Sequence, residues 1–165
     1  MTVADLGALL ARTVERLEAA GIRDEALGTW KRSRGLFGVG ASDSLVPAGR
    51  AWRLGVLLLT RDGRLFSTGE VTRAVEPGRA AVNRSAAGEQ RRAIRAIAAH
   101  GNFPRGEVIN YGWEPIVLDE ASLASSAGPL SIREGVVQVR TTPSELGWIS
   151  VDRYLDDRVL ILLGD

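Results

Sequence analysis

The chain contains no cysteine, and this absence removes several kinds of chemistry at once. Disulfide frameworks, thiolate metal sites and cysteine nucleophiles are all excluded. A cysteine-free chain fits a reducing compartment, so the sequence predicts a cytoplasmic protein. The strong preference for arginine over lysine is typical of a GC-rich bacterial genome, and we expect a bacterial protein.

Long hydrophobic runs are also missing. Residues 1–21 interleave Asp5, Arg12 and Glu18 with the apolar positions, which is typical of neither a signal peptide nor a membrane span. The most apolar later stretches, 54–60 and 159–163, are too short to cross a bilayer as helices. We therefore expect no membrane partner.

Lysine and histidine each occur once, as Lys31 and His100. A two-histidine metal site is impossible, and a Ser-x-x-Lys nucleophile would need serine at position 28, which is Gly28. The glycines within 35–40 follow a predicted helix, whereas the dinucleotide fingerprint needs a strand before it. The sequence predicts no cofactor and no metal.

Carboxylates occur as neighbouring pairs at 119–120 and 156–157. Adjacent side chains point in different directions on a helix, and Arg153 and Arg158 alternate with the second pair, so a solvated and salt-bridged face is favoured. A magnesium site built from oxygen ligands stays open as an alternative.

Charges of the two signs nearly balance, with 21 Lys and Arg, 20 Asp and Glu and a formal net charge of +1. This balance is not a nucleic-acid signature, so a nucleic-acid partner is not favoured. Hydrophobic residues make up 45% of the 165 residues, which is typical of a soluble domain with its own core. We expect a single domain over 1–165.

Helical spacing is clearest at the N-terminus, where Thr2 and Asp5 form a capping signal and Gly21 ends the pattern. A second helix is predicted over 24–34, so 1–35 would be a helical pair. Residues 36–50 mix glycine, small residues and proline without period and predict an extended connector to a core over 51–165.

Alternation and turn residues predict hairpins in that core. Strand 52–60 is expected to pair with 64–73 around Asp62-Gly63, with Leu59 opposite Phe66 and both Arg61 and Arg64 at a wet tip. The segment LSIREGVVQVR predicts a second hairpin that turns at Glu134-Gly135.

Other segments complete the predicted elements. Helices are expected over 86–100, as a short turn after Asp119 and from Pro143 towards 157, and strands over 108–118 and 159–163. These elements predict an α+β fold whose mostly antiparallel sheet, built from hairpins, is covered by helices.

The stretch HGNFPRGEVINYG, residues 100–112, concentrates polar side chains and is where we would expect a polar pocket. His100 is the one candidate for a histidine general base, with Glu107 as its acid, whereas a cation in the last turn of a helix also serves as a C-terminal cap. Ligand-binding candidates in this stretch are Arg105, Asn110 and Tyr111.

Arginines recur along the predicted helix 86–100. Arg91, Arg92 and Arg95, preceded by Arg84, share a face that could hold phosphates or carboxylates bidentately. A solvated face, helped by a Glu89–Arg92 pair, is the alternative, and a second basic group lies within 31–34.

The segments WRLGVLLLTRDGRLFSTGEVTRAVEPGR, FPRGEVIN, PIVLD, GPL and YLDDRV resemble a family of short uncharacterised bacterial proteins, some of which carry a glutaminase label. The resemblance covers roughly residues 50–163. Its motifs are turns and core strands, so it implies a shared fold and transfers no catalytic residue.

We therefore expect a non-enzymatic binding or interaction module whose arginine face or 100–112 loop contacts an anionic small molecule, a protein partner or a second copy of the chain. A small-molecule hydrolase of amides or phosphates that uses His100 and Glu107 is one alternative. A nucleic-acid-binding protein is another, and it would show steep salt dependence.

Overall fold

The computed structural model describes residues 2–32, 43–78, 85–144 and 147–164. Within these residues the helices are α1 (Val3–Ala19), α2 (Ala86–His100), α3 (Glu120–Ser125) and α4 (Val151–Leu163). The strands are β1 (Glu25–Arg32), β2 (Asp43–Leu54), β3 (Leu57–Leu59), β4 (Leu65–Ser67), β5 (Glu70–Arg73), β6 (Val108–Tyr111), β7 (Glu114–Pro115), β8 (Leu130–Arg133), β9 (Val136–Arg140) and β10 (Trp148–Ser150).

The predicted α+β class is confirmed. Among the described residues, β1 to β7 form a seven-stranded mixed sheet and β8 to β10 form a three-stranded antiparallel sheet. The chain divides into two compact units. The first comprises Met1–Asp24, Ala51–Thr68 and Glu114–Asp165, and the second comprises Glu25–Arg50 and Gly69–Trp113. The expectation of a single domain stays a prediction.

In the first unit, α1 forms as its spacing predicts. The Thr2 and Asp5 side chains and backbones complete a capping box, and the hydrogen bonds from Thr2 lower the pKa of Asp5. Gly21 follows the helix with a φ of 65°. The apolar face is buried at Leu6, Leu9, Leu10, Thr13, Val14 and Leu17.

The long strand expected over 52–60 is instead a hairpin of its own. Gly55, with a φ of 64°, turns the chain between β2 and β3, so Trp52 pairs with Leu59. The Tyr154 hydroxyl stabilises this turn by donating to Leu54 O and accepting from Val56 N, both at 2.8 Å. The turn has no clear sequence signal, because Gly55 lies within a nearly continuous apolar run.

The turn at Asp62-Gly63 is present, with a Gly63 φ of 79°, but the expected register around it was wrong. Leu59 pairs with Leu65, one residue away from the predicted partner Phe66. Thr60 N donates to Arg64 O at 3.0 Å, so three residues, 61–63, lie between the paired ends of the strands. The predicted turn had two residues there, and the extra one shifts the pairing by one.

The second sheet follows the sequence pattern closely. In LSIREGVVQVR, Ile132 pairs with Val137, while Glu134 and Gly135 take positive φ values of 53° and 74° in the turn. Helix α3 starts where expected, because Asp119 accepts a hydrogen bond of 2.7 Å from Ser122 N.

The C-terminal expectations were wrong in two places. Residues 148–150 are strand β10, so the helix begins at Val151 and not near Pro143, and it continues through the apolar run 159–163 that had been predicted as a strand. Val151, Leu155 and Val159 are buried at helical spacing, which fixes this segment as α4.

In the second unit, the predicted helix 24–34 is strand β1 as far as Arg32, so the predicted helical pair is wrong over the described residues. β1 pairs in parallel with β6, with Leu27 opposite Asn110. Gly28 suits this strand because a Cβ there would lie 2.8 Å from Ile109 Cγ2. Tertiary pairing thus overrides the helical pattern.

The predicted connector 36–50 was also wrong where the structure describes it, because 43–50 belong to β2. Residues 33–42 lie outside the described residues, as do Arg34 and the glycines of 35–40.

The strand expected over 64–73 is interrupted at Gly69 and divides into β4 and β5. A Cβ at Gly69 would lie 2.3 Å from Tyr111 O, so the backbones approach too closely there for a side chain. The strand expected over 108–118 is likewise shorter, as β6 and β7. β5 pairs antiparallel with β6, with Glu70 opposite Tyr111.

Helix α2 has the predicted bounds, and Ser85 caps it by accepting from Gly88 N at 3.2 Å. Its packed side is narrow. Ala98 is buried and Ile94 and Ile97 are partly buried, whereas Ala86, Gln90 and Ala93 are exposed.

Candidate functional site

His100, the candidate general base, is the last residue of α2 and is open to solvent, with 74% of its side chain exposed. Its Nδ1 lies 2.7 Å from Ala96 O, one turn earlier in the helix. Its Nε2 lies 3.7 Å from an oxygen of Glu76, which is also exposed. These contacts are those of a side chain that caps a helix C-terminus.

Glu107, the candidate acid, is buried before β6. Its Oε1 accepts a hydrogen bond of 2.7 Å from Arg50 Nη2, and only 3% of its side chain is exposed. This ion pair joins the segment before β6 to β2. Removing one of the two charges alone would destabilise the fold, because the other would lose this partner.

Asn110 and Tyr111 are neighbours in β6 and therefore point to opposite faces of the sheet. Asn110 is fully buried and its Nδ2 donates to Glu25 Oε2 at 2.7 Å. The hydroxyl of Tyr111 donates to Glu70 Oε2 at 2.5 Å. The two candidates cannot line one pocket from adjacent positions in a strand.

Tyr111 belongs to the apolar core of the second unit. Burial, together with the hydrogen bond to Glu70, raises its pKa to about 12. The Trp30 ring stands edge-on to it, with ring centroids 6.0 Å apart and an interplanar angle of 88°. At neutral pH this hydroxyl is a hydrogen-bond donor, and it is not available as a base.

The arginine face of α2, which we define as Arg91, Arg92 and Arg95, divides into two environments. Arg92 is half-buried and donates to the backbone carbonyl of Gly78. Arg91 and Arg95 are exposed one helical turn apart. Arg84, predicted to extend this face, lies outside the described residues.

The two exposed guanidinium groups have few interactions of their own. Arg91 Nε donates to Ala87 O at 3.2 Å, and Arg95 has no hydrogen-bond or ion-pair partner within the described part of the chain. The predicted pair between Glu89 and Arg92 is absent from the same residues. Arg91 and Arg95 are therefore accessible to an anionic partner.

Two other basic candidates are also on the surface. Arg105 is exposed in the turn before β6. Lys31 is exposed near the end of β1, where its carbonyl accepts from Ser44 Oγ at 3.3 Å. Neither lies on the helix that carries the arginine face.

The first unit holds a cavity of about 370 Å³ that is not predicted from the sequence. Arg140 and the hydroxyl residues Thr68, Thr141 and Thr142 are in its lining. The sequence signal was the run Arg140-Thr141-Thr142, but Arg140 is predicted to end the second hairpin and Thr142 to cap the helix from Pro143, so the pattern indicates no binding loop.

No group of three or more histidine, aspartate or glutamate side chains in the described ranges could hold a metal ion. No helix in those ranges is long and apolar enough to cross a membrane.

Taken with these geometries, the fold defines an α+β protein with an arginine-bearing helix on its second unit. No protein-family model, curated protein or solved structure matches the chain. The resemblance to the bacterial family with the glutaminase label stays a prediction.

Proposed function

We propose that the protein is a non-enzymatic binding module that holds an acidic segment of a partner protein through the arginine face of α2. The observation that carries this proposal is the pair Arg91 and Arg95, which are exposed one turn apart and lack carboxylate partners among the residues described. Their guanidinium groups are therefore accessible to the carboxylates of another molecule.

Arginine suits this role because its planar guanidinium can donate two parallel hydrogen bonds to one carboxylate. Two such groups one turn apart match carboxylates that are repeated along an extended or helical segment. Exposed ion pairs are individually weak, so we expect modest affinity, gained mainly from rapid and charge-steered association.

The hydrolase alternative has no specific observation in its favour. His100 is bonded to a carbonyl of its own helix and open to water, and Glu107 is held by Arg50. A general base must reach a substrate proton from a defined position beside a bound substrate, and neither contact provides that position.

The test uses fluorescently labelled poly-L-glutamate as an acidic probe and measures its fluorescence anisotropy with the full chain. The double variant Arg91→Glu/Arg95→Glu should weaken binding by about tenfold or more. The matched control, Arg12→Glu/Arg153→Glu, reverses two exposed arginines on α1 and α4. Because both variants move the net charge from +1 by the same amount, only a local effect separates them.

Equal loss in the two variants would mean that net charge and not the helix face attracts the probe, and absence of binding by the native chain would also contradict the proposal. Duplex DNA, titrated at several salt concentrations, tests the nucleic-acid alternative. If DNA bound more tightly than poly-L-glutamate and with a steep salt dependence, the partner of the arginine face would be nucleic acid and not an acidic protein segment.

A further inference from the structure

A cavity in the first unit lies among the end of β4, the segment before β8 and the end of β9. Its volume is about 370 Å³, and its lining includes Thr68, Gly128, Arg140 and Thr142. This volume is within the range of sites that bind small molecules, roughly 300–1,000 Å³. Its lining residues belong to the first unit, whereas the arginine face of α2 belongs to the second.

The lining carries charge of one sign. Arg140 is its cationic residue, four residues bear hydroxyl groups (Ser67, Thr68, Thr141 and Thr142), and the described residues that line it include no carboxylate. Apolar surface comes from Val56, Pro129 and Pro143. Such a lining attracts an anion and repels no part of it.

Arg140 is held in position by the residues around it. Its backbone N–H donates to Pro129 O at 2.8 Å, and its Nη2 donates to Ala127 O at 2.7 Å. Its guanidinium carbon lies 5.6 Å from the centre of the Trp148 ring, which supports one flat face of the group. A guanidinium has five N–H donors, so donors remain for a ligand after these contacts.

The hydroxyl groups differ in their availability. Thr141 Oγ1 donates to Gly147 O at 2.9 Å, and Thr142 Oγ1 lies 3.0 Å from Ser144 Oγ. Within the described ranges, the hydroxyl of Thr68 has no hydrogen-bond partner, while its backbone N–H donates to Val56 O at 3.2 Å. Thr68 is half-buried and lines the cavity, so its hydroxyl has a donor to offer there.

We infer that this cavity binds a small organic anion, a carboxylate or a phosphate ester, whose charged group pairs with Arg140 and accepts a hydrogen bond from Thr68. Val56, Pro129 and Pro143 contact the apolar remainder of the ligand. The inference does not depend on the partner proposed for α2.

The experiment follows ¹H–¹⁵N chemical shifts of the full chain during separate titrations with benzyl phosphate, benzoate and uncharged benzyl alcohol. The expected result is saturable shifts at Thr68, Gly128 and Arg140 with one or both anions and none with the alcohol. Whichever anion binds more tightly identifies the ligand class.

Arg140→Gln should weaken anion binding by about tenfold or more, because a charge-assisted bidentate contact is lost. Thr68→Val, which keeps the shape, should weaken it by a smaller factor and serves as the test if Arg140→Gln does not fold. The matched control is Arg133→Gln, since Arg133 also lies over Trp148, at 4.8 Å, but does not line the cavity.

Three results would overturn the inference. They are the absence of saturable shifts with either anion, equal shifts with the alcohol, and anion affinity that both Arg140→Gln and Thr68→Val leave unchanged. Unchanged affinity in Arg91→Glu/Arg95→Glu would show that the cavity acts independently of α2.

Discussion

Arg61 connects the turn after β3 to the end of α1 and to the segment that follows it. Its Nη1 donates to Glu18 Oε1 at 2.7 Å and its Nε donates to Asp24 Oδ2 at 2.9 Å. Its guanidinium carbon lies 5.0 Å from the centre of the Trp52 ring. The Asp24 hydrogen bond, followed by that of Glu18, raises the pKa of Arg61.

Arg64, two residues beyond the centre of the same turn, has a different role. Its Nε donates to Asp62 Oδ2 at 2.8 Å, and both side chains are mostly exposed. The sequence placed both arginines at a wet tip, which describes Arg64 but omits the tertiary contacts of Arg61.

These environments predict unequal costs for the same substitution. Arg61→Met should lower the free energy of unfolding more than Arg64→Met does, because the buried Asp24 loses a charged partner. Arg64→Met should cost less than about 1 kcal/mol, since exposed ion pairs contribute little. Urea denaturation of both variants measures the difference, and equal costs would contradict the assignment.

At the scale of elements, the hairpin of β2 and β3 depends on a glycine and a tyrosine from α4. Gly55 has a φ of 64°, and a Cβ there would lie 2.2 Å from the Tyr154 hydroxyl oxygen. That hydroxyl bonds the backbone on both sides of the glycine. Gly63 also has a positive φ, of 79°, but a Cβ there would meet nothing within 4 Å.

The two glycines form a matched pair of alanine substitutions. Gly63→Ala should cost about 1–2 kcal/mol, which is the penalty for a side chain in the left-handed region. Gly55→Ala should cost roughly 3 kcal/mol or more, because the same penalty is added to the loss of the Tyr154 hydrogen bonds. Thermal or urea denaturation provides the comparison. A Gly55→Ala variant as stable as Gly63→Ala would show that the Tyr154 hydrogen bonds do not stabilise this turn.

Elements with strong local signals were predicted from the sequence. The caps at Thr2, Ser85 and Asp119 start the expected helices, and the turn at Glu134-Gly135 sets its hairpin. These signals act within four residues of the chain, so no distant partner is needed to read them.

Elements that depend on distant partners were not predicted. β1 is a strand because it pairs with β6, more than eighty residues away, and Gly28 allows that close approach. The run 159–163 has the composition of a strand, yet it continues a helix that Val151 and Leu155 anchor in the core.

In the candidate site, too, features that depend on local spacing were predicted and features that depend on distant partners were not. Positions 91 and 95 share a helix face by spacing alone, and both are exposed as that face requires. The 100–112 loop was expected to form one polar pocket, but Glu107 pairs with Arg50, Asn110 with Glu25 and Tyr111 with Glu70. All three partners come from other parts of the sequence, where no local pattern indicates them.

At the scale of the whole molecule, the two units have apolar cores of different size. Within the described residues, eighteen buried residues form the core of the first unit, with contributions from α1, β3, β9 and α4. Six form that of the second unit, where Ala98 is the buried residue of α2. Local stability follows buried apolar contact, so the two units should differ in it.

Hydrogen exchange measured by mass spectrometry tests this difference. Backbone amides in the first half of α2, residues 86–93, should exchange faster than those of α4, residues 151–159, because α2 buries little of its surface. Amides of α1 serve as the reference for a helix with a fully buried face. Equal protection of α2 and α4 would refute the expectation.

The sequence by itself determined the α+β class, helix α1 with its cap and the hairpin of β8 and β9, because each rests on periodicity or turn chemistry within a short window. Tertiary structure decided that β1 is a strand, that Arg61 reaches Asp24 and that Arg140 lines a cavity. In each case a residue distant in the sequence supplies the partner, which is a neighbouring strand, a carboxylate or an aromatic ring. A local sequence pattern does not specify these partners, because the packing of the folded chain determines which residues meet.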